Sequence, residues 1–79
     1  MGNMEIGSVV RFHRRAAGLT QIELANLAGV GKTVVFDIEN NKASIQCNTL
    51  QKVLNALNIT ITFESPLMKE FEEHEKSKS

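Results

Sequence analysis

Apolar residues recur at helical spacing in four stretches of the first 58 residues, which are about 5–17, 20–28, 31–39 and 48–57. In each stretch they fall near positions i, i+3, i+4 and i+7, which is typical of a helix with one buried face. The residues expected to face inward are Ile6, Val9, Val10, Ala16, Ala17, Leu24, Ala25, Leu27, Ala28, Val35, Ile38, Leu50, Val53, Leu54 and Leu57. The pattern predicts four short amphipathic helices.

The boundaries between the first two helices carry clear signals. Gly18 suits the left-handed position that ends a helix. Thr20, followed three residues later by Glu23, forms a capping box in which each side chain satisfies a backbone N–H of the other. Gly29 then allows the tight turn into the third helix, because it tolerates a positive φ.

The third and fourth helices are bounded mainly by asparagine. Asn40 and Asn41 are expected to close the third helix, since asparagine adopts left-handed geometry more readily than most residues. Asn48 is expected to cap the fourth helix, with Gln51 at the reciprocal position.

After Asn58 the hydrophobic period changes from helical to alternating. The five residues that carry the alternation are Ile59, Thr60, Ile61, Thr62 and Phe63. They are β-branched or aromatic, which predicts a strand over about residues 59–64. A lone strand leaves backbone groups unpaired, and pairing with the same strand of a second copy would satisfy them. The alternative is an extended tail packed on its own domain.

Composition and charge narrow the class of protein. Residues 1–63 carry six Lys or Arg against four Asp or Glu, and residues 64–79 carry three against five, so a basic body precedes an acidic end. Residues 65–79 are expected to be a polar, flexible tail after a single domain at 1–64. No apolar run is long enough for a membrane span, and Cys47 has no disulfide partner, which favours the cytoplasm. No metal or cofactor site and no catalytic constellation is visible, so an enzyme is not expected.

The stretch LTQIELANLAGVGKTVVFDIENNK, residues 19–42, has the plan of a helix-turn-helix. Two short helices meet at a glycine turn, and the second begins with polar residues. It resembles the Xre/Cro-type helix-turn-helix family through LTQIELA, GV and ENNK. With ITITF included, the closest resemblance is to HipB-type antitoxins. This implies a mainly α, lambda-repressor-like domain of four to five helices, whose one C-terminal strand pairs across a homodimer.

The resemblance also implies roles for individual residues in binding DNA. Those expected at the interface are Arg14, Arg15, Gln21, Gly31, Lys32, Thr33, Phe36, Asp37, Asn40 and Lys42. Lys32 and Thr33 would meet base edges, and Gln21 would bind a phosphate and support the recognition helix. Asp37 would accept a hydrogen bond from cytosine N4 or orient Lys32 or Thr33.

The resulting functional prediction is a DNA-binding transcriptional regulator that recognises a palindromic operator as a homodimer. It is expected to repress its own gene and to act as the antitoxin of a HipA-like kinase toxin. The alternatives are a stand-alone or phage-type repressor, a protein that mainly neutralises a toxin, and a helix-turn-helix domain that has lost DNA binding.

Overall fold

A computed structural model describes residues 5–78, and these form five α-helices. The helices are α1 (Ile6–Ala16), α2 (Gln21–Ala28), α3 (Lys32–Glu39), α4 (Cys47–Ala56) and α5 (Met68–Ser77). The first four match the helices predicted from the hydrophobic period. The mainly α fold is confirmed, with the helix-turn-helix formed by α2, the turn at Gly29 and α3.

The core lies between α1, α2, α3 and α4, where α3 packs against both α1 and α2, and α2 also packs against α4. The buried apolar residues are Val10, Leu24, Ala25, Val35, Ile38, Val53 and Leu54. Burial of each larger aliphatic side chain stabilises the fold by about 1.5–3 kcal/mol. Leu27 was expected in this core but is 62% exposed. It follows Leu24 by three residues and so points about 60° to one side of it.

The turn signals around α2 are confirmed. The Thr20 hydroxyl accepts a hydrogen bond from the Glu23 backbone N–H at 3.0 Å, and the Glu23 carboxylate accepts one from Thr20 N–H at 2.8 Å. Gly18 and Gly29 both have φ of 74°. Asn41, with φ of 56°, provides the left-handed residue after α3.

The predicted cap of α4 is wrong. The helix begins at Cys47, and the preceding Gln46 makes no capping hydrogen bond with its side chain. Asn48 therefore lies inside the first turn, and Gln51 donates forward to Asn55 Oδ1 at 2.9 Å instead of back to a cap.

A close approach joins the start of α1 to the end of α3. The Gly7 N–H donates to Asn41 Oδ1 at 2.9 Å. A Cβ placed on Gly7 would lie 2.7 Å from the backbone oxygens of both Ile38 and Glu39. Because those oxygens belong to the backbone, they cannot move away cheaply, and only glycine fits at this position.

The C-terminal region departs from the sequence prediction in two ways. Residues 59–65 are irregular, and no strand occurs anywhere in residues 5–78. A strand needs a neighbour to pair with, and the single chain supplies none to this segment. Residues 68–77, predicted as part of a flexible tail, form α5, although none of its residues is buried. Glu70 in its first turn and Lys76 in its last suit the helix dipole.

Candidate nucleic-acid interface

The N-terminal half of α3 presents a free face to solvent. Lys32, Thr33 and Phe36 are exposed, while Val35 and Ile38 on the opposite side are buried and fix the helix to the core. The preceding Gly31 is the N-cap, and as a glycine it has no side chain to cap the first N–H groups of the helix. The helix thus offers a cation, a hydroxyl and an aromatic ring beside unsatisfied backbone N–H groups, which suits contact with base edges and phosphates.

Glu39, at the C-terminal end of α3, is the buried acceptor that holds three helices together. Arg14 of α1 donates to it through Nε at 2.5 Å and Nη2 at 3.0 Å. Arg11 donates through Nε at 3.3 Å and Gln21 of α2 through Nε2 at 3.1 Å. Arg14 Nη1 also donates to the Leu19 carbonyl at 2.8 Å. One carboxylate thereby fixes α1 and α2 against the helix expected to enter the major groove.

The charges in this cluster stabilise each other. Burial of Glu39 opposes its ionisation, but hydrogen bonds from Arg14, Gln21 and Arg11 outweigh that effect, and the pKa of Glu39 lies below its usual value. The hydrogen bond to Glu39 raises the pKa of Arg14 in turn. The carboxylate is therefore charged at neutral pH, as its donors require.

The structure distinguishes the two arginines predicted at the interface. Arg14 is only 9% exposed, and its guanidinium donates to Glu39 and Leu19, which gives it a structural role. Arg15, its neighbour, is exposed and forms no ion pair within residues 5–78. Arg15 is therefore the more accessible of the two arginines.

The start of α2 provides a second group of donors. The Thr20 cap satisfies the N–H of Glu23, which leaves the N–H groups of Gln21 and Ile22 without a partner in the described part of the chain. Gln21 uses one amide hydrogen on Glu39 and keeps the other free. The helix end can therefore accept an anion while the same side chain supports α3, which are the two roles predicted for Gln21.

The loop after α3 brings together three further predicted residues. Asp37 Oδ2 lies 3.6 Å from Lys42 Nζ, and the Lys42 N–H donates to the Asp37 carbonyl at 3.0 Å. The Asn40 side chain donates back to the Phe36 carbonyl at 2.7 Å. Asp37 thus orients Lys42, rather than Lys32 or Thr33, and offsets part of the positive charge of the loop.

Sequence reasoning did not identify Glu39 as a structural residue. Its partners Arg14 and Gln21 lie 25 and 18 positions away, so no local spacing connects them. The sequence signals are its place at the start of ENNK and its spacing of four residues from the inward-facing Val35, and neither identifies its partners.

Two kinds of feature are not found among residues 5–78. They contain no group of three His, Cys, Asp or Glu side chains arranged to hold a metal ion. Nor do they contain a helix with the length and apolar character needed to cross a bilayer.

The fold and this exposed helix face define the class, which is that of helix-turn-helix DNA-binding transcriptional regulators. Residues 10–63 match the family model described as "Helix-turn-helix", so the chain belongs to the helix-turn-helix family. It is 37% identical over 62 residues to the "Uncharacterized HTH-type transcriptional regulator y4mF" of Sinorhizobium fredii, and the match covers 78% of this chain and 82% of that protein.

Solved structures agree on the fold. A chain from "Structure of HipA-HipB-O2-O3 complex" superposes with a TM-score of 0.70 at 24% identity, covering 84% of this chain and 96% of that one. A chain from a HipB-O1-O2 complex gives a TM-score of 0.70 at 24% identity, with 82% and 97% covered. At this identity the likeness establishes a shared fold.

Proposed function

We propose that the protein binds a specific DNA operator through the N-terminal half of α3 and represses transcription there. The observation that carries this proposal is the exposed face of Lys32, Thr33 and Phe36 on a helix fixed from behind by Glu39. A recognition helix must hold its side chains in register with base edges, and the Glu39 cluster provides that rigidity.

Each exposed residue then has a chemical role. Lys32 donates to guanine O6 and N7, and Thr33 offers a hydroxyl and a methyl group to the neighbouring base pair. Phe36, 55% exposed, rests on a thymine methyl or a sugar. Arg15, Gln21 and the loop residues Asn40 and Lys42 contact phosphates, which set the position of the helix without reading sequence. They are exposed or half-buried, as such contacts require.

A homodimer would double this interface. The alternating segment from Ile59 to Phe63 would pair with its counterpart around a two-fold axis, so that two recognition helices enter successive major grooves of a palindrome. The backbone N–H groups of residues 60–64 make no hydrogen bond to other backbone groups in the described chain, which leaves them available for such pairing.

The likeness to solved structures supports a second role, that of an antitoxin. The structures of similar fold include HipB in complexes named for operators and for HipA. By this likeness the protein would repress its own operon and also bind a HipA-like kinase toxin. A stand-alone or phage-type repressor would share the DNA-binding face but have no toxin partner.

The first experiment is a titration of the protein against duplex DNA from immediately upstream of its own gene, with an unrelated duplex as control, at two salt concentrations. Lys32→Ala is compared with Lys52→Ala, which removes the same charge from an exposed position on α4. We expect Lys32→Ala to weaken binding to the upstream DNA by about 1–3 kcal/mol and to relax specificity at one base pair, with no such change for Lys52→Ala.

Weak, equal and strongly salt-dependent binding to both duplexes would contradict operator recognition, because only phosphate contacts would then remain. An equal loss of affinity of Lys32→Ala for all sequences would assign Lys32 to a phosphate. Co-purification with the product of an adjacent gene tests the antitoxin role separately, and a reproducible absence of that partner would favour the stand-alone repressor.

A further inference from the structure

The chain beyond the four-helix body exposes an unusual amount of apolar surface. We call residues 60–77 the C-terminal arm. Within it Ile61 is 45% exposed, Phe63 76%, Leu67 64% and Phe71 54%. None of these side chains belongs to the core cluster. Four large apolar side chains exposed within 11 residues of sequence indicate a segment that another molecule covers.

The arm extends away from the body. No residue of α5 is buried, and the radius of gyration is 15.1 Å. A compact chain of this length would have a radius of about 12 Å. Leu67, directly before α5, and Phe71 within it are therefore mostly exposed in the single chain, while Met68 is half-buried.

The arm itself indicates that its partner is a second copy of this chain. Ile59 packs against its own core, and Ile61 and Phe63 share its side of the alternating segment. In an antiparallel pair, directly opposite residues point to the same face of the sheet. Apolar residues therefore lie opposite apolar residues only if odd-numbered positions pair with odd-numbered positions. The register with the longest overlap within 59–63 centres on Ile61 and sets Phe63 opposite the partner's Ile59.

We propose that α5 is part of the same dimer interface, with Leu67 and Phe71 of each protomer packed on the other protomer. This inference rests on the proposed homodimer and extends it. In this register Phe63 lies opposite the partner's Ile59, which directly follows the partner's four-helix body. The next residues, Ser65, Pro66 and α5, would therefore lie against the partner's body.

The area available supports an interface of this extent. A fully buried aromatic side chain removes about 150–250 Å² from water, so the exposed fractions of Phe63 and Phe71 in two arms amount to roughly 500 Å². This is about half of the roughly 1,000 Å² that a specific interface needs, and Ile61, Leu67 and the paired backbone add to it.

The test is sedimentation equilibrium of the full chain carrying Leu67→Ala and Phe71→Ala together. The matched control is Lys69→Ala with Glu72→Ala, which changes exposed polar residues of the same region. We expect the apolar double variant to raise the dimer dissociation constant at least about tenfold, with unchanged helix content, and the polar variant to dimerise like the parent. Equal dissociation constants for all three proteins would overturn the role of α5.

A cysteine cross-link separates that failure from failure of the dimer itself. In a Cys47→Ser background, Ile61→Cys should form a disulfide with its own counterpart on mild oxidation, whereas Thr60→Cys, which would face Thr62 of the partner, should not. If Ile61→Cys cross-links but the apolar double variant dimerises like the parent, the paired segments are supported and only the role of α5 is refuted. No cross-link and a monomeric parent would refute both, and the DNA titration would still report on operator binding.

Discussion

Replacing Glu39 by Gln tests how far the recognition helix depends on one buried charge. The substitution keeps the size of the side chain but removes its charge, and it places an NH₂ group where a carboxylate oxygen accepted hydrogen bonds from Arg11, Arg14 and Gln21. At least one donor then faces another donor, and the Arg14 guanidinium stays buried without a counter-charge. Breaking one side of a buried ion pair typically costs about 3–5 kcal/mol.

We expect the free energy of unfolding at pH 7 to fall by about 3–4 kcal/mol, since the Gln amide oxygen still accepts a hydrogen bond from Arg14 in either orientation. A domain of this length has about 4–12 kcal/mol in total, so the substitution would remove between about a quarter and all of it. The corresponding drop in Tm is roughly 10–30 °C. Urea denaturation followed by circular dichroism measures the change, and Glu72→Gln on exposed α5 is the control, expected within about 0.5 kcal/mol of the parent.

The pH dependence provides an independent check. Because the pKa of Glu39 is lower in the folded chain than in the unfolded one, its stabilisation is fully present above the unfolded value of about 4.3. It is lost as the pH falls below that value and through the folded pKa. The gap in stability between the parent and Glu39→Gln should therefore narrow below about pH 4. A gap that stays constant from pH 7 to pH 3, or a variant as stable as the parent at pH 7, would refute this account.

Three further changes test other parts of the structure. Gly7→Ala should destabilise the fold by about 1–3 kcal/mol in thermal unfolding, because its Cβ would lie 2.7 Å from two backbone oxygens, whereas Ser8→Ala at the next, exposed position should be nearly neutral. Thr20→Ala should cost about 1 kcal/mol of unfolding free energy through loss of the capping box, and a cost near zero would show that the cap is dispensable. Asp37→Asn removes the carboxylate that pairs with Lys42 and should tighten binding to unrelated DNA about two- to tenfold at low salt, measured by fluorescence anisotropy; weaker binding would mean that Asp37 itself contacts a base.

The helices and turns of the body were predictable because their signals are local. The capping box of Thr20 and Glu23 lies within one turn, and the positive φ at Gly29 and Asn41 reflects the conformational preference of single residues. The inward positions Val35 and Ile38 follow from the helical period alone. Each of these predictions used only a local stretch of sequence, from a single residue for a turn to about two helical turns for the hydrophobic period.

The features that sequence reasoning missed depend on residues far apart in the chain. Arg14 was interpreted as a surface cation because no feature near it in the sequence indicates its contact with Glu39. Leu27 has the character of a core residue but is 62% exposed, because burial depends on which other elements reach its side of α2. The segment from Ile59 to Phe63 has the composition of a strand, but strand formation requires a neighbour, and a neighbour is not a property of the segment itself.

The DNA-binding site stays a prediction, and the structure adds where its residues lie. The exposed positions of Lys32, Thr33 and Phe36 agree with their predicted place at the start of the recognition helix, while their base contacts remain a proposal. The support behind that helix could not be derived from spacing, because it combines residues from α1, α2 and α3 at a single carboxylate.

The position of Glu39 also has a consequence for how the protein is degraded in a cell. A partly opened chain in which α1 had detached would leave the Glu39 carboxylate facing α2 without the two arginines of α1, and the hydrogen bond from the neutral Gln21 would not replace their charge. Such a half-open state is costly, so the first three helices should open together and not one after another. A protease would then rarely meet a molecule with one loose helix and an intact recognition helix, and clearance of the regulator would follow the population of fully open chains.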